Sequence, residues 1–290
     1  IQGNTVNTNT TLEAFLEHTV YGNNNISLRS QVGVQQLDFN RNTVIATAAG
    51  LNGSQTNLDQ AANIAVEQFR LIQQDKGIFI QEEFNYNDRI ILTAGIRADK
   101  SSNNGDANQL YYYPKANAAI NLHSFDFWTV SAISQFKLRA AYGQSGRFSN
   151  FGDKFTTYNP VAIGGRSGLI LSTLRGNPNV APERQAELEF GADFGFVDNR
   201  VTLDVTYYIK NVTELLLAAQ VPTSTGFTRQ IQNAGALQNR GLEIGLNVTP
   251  VQTSNVEWNF TINWWRNRSE ITQLDVPAFY LGGFAASLGQ

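Results

Sequence analysis

Apolar and polar residues alternate with a period of two over many stretches of this chain, a pattern that predicts β-strands. In 90–98, Ile90, Leu92, Ala94 and Ile96 share one face, with Thr93, Gly95 and Arg97 on the other. In 186–196, Leu188, Phe190, Ala192, Phe194 and Phe196 oppose Glu187, Glu189, Gly191 and Asp193. The next run sets Val201, Leu203, Val205, Tyr207 and Ile209 against Thr202, Asp204 and Thr206. Further on, Leu242, Ile244, Leu246 and Val248 oppose Glu243, Gly245 and Asn247. Last, Val256, Trp258, Phe260, Ile262 and Trp264 oppose Glu257, Asn259, Thr261 and Asn263. Weaker versions near 10–20, 26–37, 78–86, 116–122 and 136–142 bring the expected total to about ten strands.

Length and spacing point to a membrane sheet. A strand that crosses the hydrocarbon at a tilt near 45° needs roughly 9–11 residues, against about 5–6 in a globular sheet. The clearest runs have the longer length, and Tyr207, Trp258 and Trp264 close their apolar faces with the aromatics favoured at headgroups. Short links at Gly22–Asn25, Asn87–Arg89, Val197–Arg200 and Pro250–Asn255, and a longer one near 123–135, alternate with long segments near 38–77, 99–115, 143–185 and 210–239. Asn87-Asp88 and Asp198-Asn199 favour tight turns. Short turns on one side and long loops on the other describe a transmembrane antiparallel β-barrel, and a soluble sandwich has no reason to keep that alternation. Residues 57–73 break the pattern. Leu58, Ala61, Ala65, Phe69 and Ile72 fall toward one side of a helix, which suggests a short amphipathic helix or, preferably, a packed piece of extracellular loop.

Composition agrees. A formal net charge of −3 gives no basic face for nucleic acid. Charged residues are only 16% and aromatics 11% of the chain, and neutral polar residues are abundant. Such a mixture is expected where lipid-facing and water-facing positions alternate. The absence of cysteine excludes disulfides and thiolate metal ligation. No run approaches the roughly 20 apolar residues of a membrane helix. The mean hydropathy of −0.26 looks soluble, but strand alternation halves the apolar signal of a barrel. The chain opens at Ile1 without a leader and closes through Gly282, Gly283 and Gly289, so it is expected to be part of a longer protein.

Four stretches resemble the SusC/RagA-type TonB-dependent transporters of the Bacteroidetes outer membrane. They are KGIFIQEEFNYNDRIILTAGIRADKSS (Lys76–Ser102), FKLRAAYGQSG (Phe136–Gly146), GNPNVAPERQAELEFGADFGFVDNRVTLDVTYY (Gly176–Tyr208) and STGFTRQIQNAGALQNRGLEIGLNVTP (Ser224–Pro250). Their order and spacing are those of the family over roughly 76–275, while 1–75 matches in character only. Ala181 stands where the family has a lysine before Pro-Glu. The resemblance implies an all-β fold, residues 1–290 forming part of one barrel of about 22 strands with a plugged lumen. The plug, the TonB box and the final strands are expected to lie outside this chain. It also implies import of oligosaccharides or peptides with a SusD-like surface lipoprotein and TonB–ExbB–ExbD as partners, in contact with outer-membrane lipid. A siderophore or cobalamin receptor, a passive porin-like or structural barrel, and a barrel hydrolase remain as alternatives.

The motif residues look architectural. Asn177-Pro178 and Ala181-Pro182 set extended turns, and Gly235 and Gly241 suit bulges or close backbone approach. Catalytic chemistry is not predicted. His18 and His123 are far apart, on different strands. Gly143-Gln144-Ser145-Gly146 lacks the spacing of a nucleophile elbow, and Gly164-Gly165-Arg166-Ser167-Gly168 lacks a P-loop lysine. Glu187/Glu189 and Glu82/Glu83 are expected to be solvated wall carboxylates. No metal or cofactor site is predicted. The lumen face (Asn117, Asn121, Thr202, Thr206, Asn247, Asn259, Thr261) is expected to offer weak hydrogen bonds to a hydrated ligand. Loop aromatics Tyr111, Tyr112, Tyr113, Phe151 and Tyr158 are the candidate substrate contacts, by stacking on sugar rings.

Overall fold

The computed structural model describes residues 1–22, 25–51, 53, 57–277, 280–281 and 284–285. The middle of the Gly22–Asn25 link and the glycines Gly282, Gly283 and Gly289 lie outside the described residues.

Wall strands come first: β1 (Gln2–Gly22), β2 (Ile26–Leu51), β3 (Ala61–Tyr86), β4 (Ile90–Ser101), β5 (Tyr111–Asn121) and β6 (Ile133–Arg147). Three short strands follow in a loop, β7 (Tyr158–Ile163), β8 (Arg166–Leu171) and β9 (Leu174–Arg175). The chain then runs through β10 (Glu183–Phe196), β11 (Val201–Thr213), β12 (Leu216–Gln220), β13 (Arg229–Asn233), β14 (Gly235–Gln252) and β15 (Glu257–Leu274). A small hairpin, β16 (Tyr280–Leu281) and β17 (Phe284–Ala285), ends the described chain. Ten strands form one antiparallel sheet in the order β1-β2-β3-β4-β5-β6-β10-β11-β14-β15, so each wall strand pairs with its neighbour in the chain once loop strands are set aside. That meander is the up-and-down connectivity of a barrel wall.

Turn chemistry sets the register at the short-turn end. Asn87 and Asp88 adopt φ of 49° and 55°. They are the left-handed central pair of a turn that the Arg89 N–H closes on the Tyr86 carbonyl at 2.9 Å. The Asp88 N–H donates to Asn85 Oδ1 at 2.8 Å. Val197, Asp198 and Asn199 are also left-handed, at 52°, 53° and 64°. The Ser134 hydroxyl from β6 holds that turn by accepting from the Asn199 N–H at 3.1 Å.

Three expectations are corrected here. Residues 57–73 are neither helix nor packed loop: a single 3-10 turn at Leu58–Gln60 leads directly into β3. The segment near 38–77 is likewise mostly sheet, because β2 and β3 stay in register from Ile26↔Tyr86 to Leu51↔Ala61. The apparent helical face was a coincidence of spacing. Backbone groups of 61–73 exchange hydrogen bonds with β2 along the ladder, and such long-range pairing overrides local propensity. Both β2 and β3 are 26 residues long. At the usual rise per residue such a strand spans about 85 Å, far more than a lipid-facing band about 25 Å tall requires. The upper ends of β2 and β3 therefore stand well clear of the band. His123 is also not on a strand. It sits in the 3-10 turn Leu122–Ser124, where its Nδ1 accepts from the Phe136 N–H at 3.2 Å.

Most of the fully buried side chains lie outside the wall, in a cap built by the loops. Asn104 and Ala219 are completely buried, and Val180, Ser149 and Pro182 nearly so. Gly105 donates its N–H to the Val180 carbonyl at 2.8 Å, and the Ser149 hydroxyl donates to the Asn103 carbonyl at 2.7 Å. Asn177-Pro178 and Ala181-Pro182 carry the chain across this cap before β10 begins, as their extended preference requires.

Candidate functional site

The two faces of the wall invert the rule of soluble proteins. Apolar Leu92 and Phe190 are 45% and 52% exposed, while Thr93 and Thr206 on the opposite face are 8% and 9% exposed. An apolar surface of that extent is stable only against lipid. The polar face is therefore the inner, water-facing one. Glu187, Glu189 and Glu243 all lie on it, whereas Glu82 lies on the apolar face and accepts a hydrogen bond from Ser30 at 2.7 Å. Of the expected wall carboxylates, Glu82 is the one whose side points to lipid.

A charged ladder crosses the inner face from β6 to β14. Arg139 donates from Nε to Asp193 at 3.1 Å, and from Nη2 to Asp204 at 2.5 Å and to the Thr206 hydroxyl at 2.7 Å. One guanidinium thereby ties three strands together. Gly191 makes this possible, since a Cβ there would lie 2.5 Å from Arg139 Cζ. Beside it, Lys210 and Glu187 pair at 3.7 Å. Tyr208 lies over Gly241, where any Cβ would collide with its ring. Tyr208, Glu189, Asn239 and Glu243 line a polar cavity of about 580 Å³.

A second cavity, of about 460 Å³, opens on the same face between β3 and β6. Arg97 closes one side. Its Nε donates to both Asp99 oxygens at 2.7 and 2.8 Å, and its Nη2 donates to Gln35 Oε1 at 2.5 Å. Gly77 leaves room for that group, as a Cβ there would collide with Asp99. Tyr113 is only 5% exposed, its ring packed where Gly146 has no side chain. Its hydroxyl is buried without a hydrogen-bond partner. Lys115, two residues on and on the same face, is exposed and makes no ion pair among the described residues.

The five candidate aromatics separate. Tyr111, Tyr112 and Tyr113 are the first residues of β5 rather than loop. Alternation turns Tyr111 and Tyr113 inward and Tyr112 outward, where it pairs across the ladder with Ala98. Phe151 and Tyr158 lie on the exposed loop, 41% and 63% accessible. Most of the neutral lumen residues already hold hydrogen bonds within the wall. Asn247 bonds Thr202 and Thr261, Thr206 is taken by Arg139, and Asn121 donates to the Asp88 carbonyl. The charged ladder was missed in the sequence, although Arg139, Asp193 and Asp204 all occupy polar positions of alternating runs. The elbow-like Gly143–Gly146 is straight strand in β6, and Gly164-Gly165 is the turn between β7 and β8, at φ of 57° and 79°.

A long-stranded meander, apolar on one face and charged on the other, with a loop cap at one end, defines part of the wall of an outer-membrane β-barrel. Residues 2–284 match the family model described as TonB dependent receptor-like, beta-barrel, and the chain belongs to that family. Among its relatives is TonB-dependent receptor P26 of Formosa agariphila, 32% identical over 236 residues, covering 78% of this chain and 23% of that protein. Another is TonB-dependent receptor SusC of Bacteroides thetaiotaomicron, 30% identical over 204 residues, covering 66% of this chain and 20% of that protein. The solved structure of the RagAB peptide transporter superposes with a TM-score of 0.87 over 97% of this chain and 32% of its own, at 20% identity, which establishes the shared fold. The chain thus spans about a fifth to a third of the length of the proteins it matches. Its SusC/RagA-like character and its place in the outer membrane follow from these matches together with the sequence motifs.

Proposed function

We propose that the whole protein is an energised outer-membrane importer of the SusC/RagA type, taking up oligosaccharides or peptides. The observation that carries this reading is the wall itself: an apolar outer face, a charged and cavity-bearing inner face, and kinship with SusC. Residues 1–290 form one stretch of a single barrel domain of about 22 strands, completed by a plug and further strands elsewhere in the protein. A SusD-like surface lipoprotein delivers the ligand, and TonB–ExbB–ExbD supplies the energy. The protein moves its ligand unchanged and is not an enzyme. Exposed Phe151 and Tyr158 meet the ligand on entry, and Tyr111 and Tyr113 meet it inside the mouth. Tyr112 serves as an aromatic anchor at the membrane interface.

Deleting the chromosomal gene and measuring uptake of labelled oligosaccharides and peptides, with and without TonB, tests this reading. Uptake that requires both the gene and TonB supports it. Growth-linked uptake of siderophore or cobalamin alone, or steady ion conductance in planar bilayers independent of TonB, contradicts it.

A further inference from the structure

On the inner face of the wall the main cations meet protein carboxylates: Arg97 pairs with Asp99, Arg139 with Asp193 and Asp204, and Lys210 with Glu187. The outer face is different. There Arg240 on β14 stands directly opposite Arg268 on β15, with Arg266 one rung lower, and Lys76 on β3 stands opposite Lys100 on β4. Like charges opposed across a ladder repel. None of these five makes an ion pair among the described residues, although Glu270 lies one rung above Arg268. The two groups also share a height. Lys76 is ten residues along β3 from Tyr86, and Arg268 ten along β15 from Trp258, both outward aromatics near the short turns. Ten residues rise about 33 Å, or about 23 Å in height at a tilt near 45°, which reaches the far edge of a lipid band about 25 Å tall. Below that edge the outward positions of the ten wall strands carry no lysine or arginine among the described residues. The long loops mark this edge as the cell-surface one.

We propose that Arg240, Arg266 and Arg268 bind the phosphate of a phosphorylated glycolipid in the outer leaflet, with Lys76 and Lys100 as a second, weaker contact at the same height. Opposed side chains start about 5 Å apart and successive outward rungs about 7 Å apart, so three guanidinium forks can converge on one phosphate. A planar guanidinium donates two hydrogen bonds to phosphate oxygens, and the bound anion cancels the repulsion between Arg240 and Arg268. Donation from Arg240 Nε to Gln238 Oε1 steadies the first of these forks. Asn211 and Gln238, joined by a 2.7 Å hydrogen bond, form a neutral polar rung above the arginines, level with sugar hydroxyls. Tyr207, Leu242 and Trp264 lie on the apolar side of the cluster, level with acyl chains. A glycolipid answers all three levels, whereas a phosphoglycerolipid leaves the amide rung without a partner. The site depends on the barrel lying in its membrane and not on the cargo that passes inside.

The test uses the purified whole protein in detergent and measures by thermophoresis the affinity of three lipid probes: monophosphoryl lipid A, the same lipid with its phosphate removed, and phosphatidylglycerol. Monophosphoryl lipid A is expected to bind about tenfold more tightly than either of the others. Changing all three arginines together (Arg240→Gln, Arg266→Gln, Arg268→Gln) should lower that affinity about a hundredfold. Arg268→Gln alone, the milder change, should lower it about fivefold, and Arg166→Gln on the β7–β8 turn should leave it unaltered. An unaltered heat-modifiability midpoint on gels verifies folding, and the single variant carries the test if the triple one misfolds. Equal binding of the dephosphorylated lipid would overturn the site. So would wild-type affinity in the arginine variants, which would mean that other strands of the barrel neutralise these side chains. Phosphatidylglycerol binding as tightly as lipid A would overturn the glycolipid assignment.

Discussion

The β2–β3 hairpin and the β10–β11 hairpin start alike and end differently. At the short-turn end they are alike, since β3 runs into the Asn87–Arg89 turn as β10 runs into Val197–Arg200, and both show the same alternation where they cross the apolar band. Above the band β10 and β11 stop, after 14 and 13 residues, and hand over to loops that close around Asn104, Ser149 and Val180. β2 and β3 simply continue, to 26 residues each. Their upper halves carry polar cross-strand contacts instead of a core, such as Arg41 to Asn7 at 3.0 Å, Gln68 with Asn42 at 2.9 Å and Thr5 with Thr43 at 3.2 Å. Lipid dictates the pattern only within the band. Beyond it, the wall is held up either by a closed miniature core or by an unbroken backbone ladder, and the two respond differently to damage.

The largest effect should come from the cap. Val180 is only 1% exposed. Val180→Asp places an unpaired carboxylate there, at a cost of about 3 kcal/mol or more to the cap. Limited proteolysis of the whole protein should then cut within 148–182, while the paired upper halves of β2 and β3 stay intact. A smaller loss is expected from Gly191→Val, which drives Arg139 off Asp193 and Asp204. That change should destabilise the barrel by about 2 kcal/mol and lower its heat-modifiability midpoint on gels. The smallest belongs to the tall hairpin. Thr43→Val removes one exposed rung from a ladder of many, and denaturant midpoints should shift by no more than about 0.5 kcal/mol. A Thr43→Val loss as large as that of Val180→Asp would erase the distinction between the two regions.

Much of the wall was legible in the sequence, and the reason is local. Period-two alternation is written in the residues themselves, so β4, β10, β11, β14 and β15 stand near where the runs at 90–98, 186–196, 201–209, 242–248 and 256–264 put them. The turns at Asn87-Asp88 and Asp198-Asn199 were legible for the same reason, since left-handed φ selects those residue types. The upper half of β3 was not. Its outward and inward positions are both mixed in polarity, because water bathes both sides there, and only the partner strand makes it a strand. The site was less legible still. Arg139 and Asp204 lie 65 residues apart in sequence and meet only because register brings them over Gly191. The orphaned hydroxyl of Tyr113 is likewise a product of packing; the sequence showed three tyrosines in a row, which were read as loop. Alternation alone, applied to β5, would have turned Tyr112 away from its neighbours.

The central claim is that one face of this wall meets lipid and the other meets water, and a cysteine-free chain allows a direct test. Single cysteines would be placed along β11 and β14 of the whole protein, at Thr202, Leu203, Glu243, Leu246, Asn247 and Val248. Each would be treated with a membrane-impermeant maleimide in outer-membrane vesicles made accessible from both sides. Labelling is expected at Thr202, Glu243 and Asn247 and protection at Leu203, Leu246 and Val248. Equal labelling of both sets, or the reverse alternation, would contradict the membrane-barrel account.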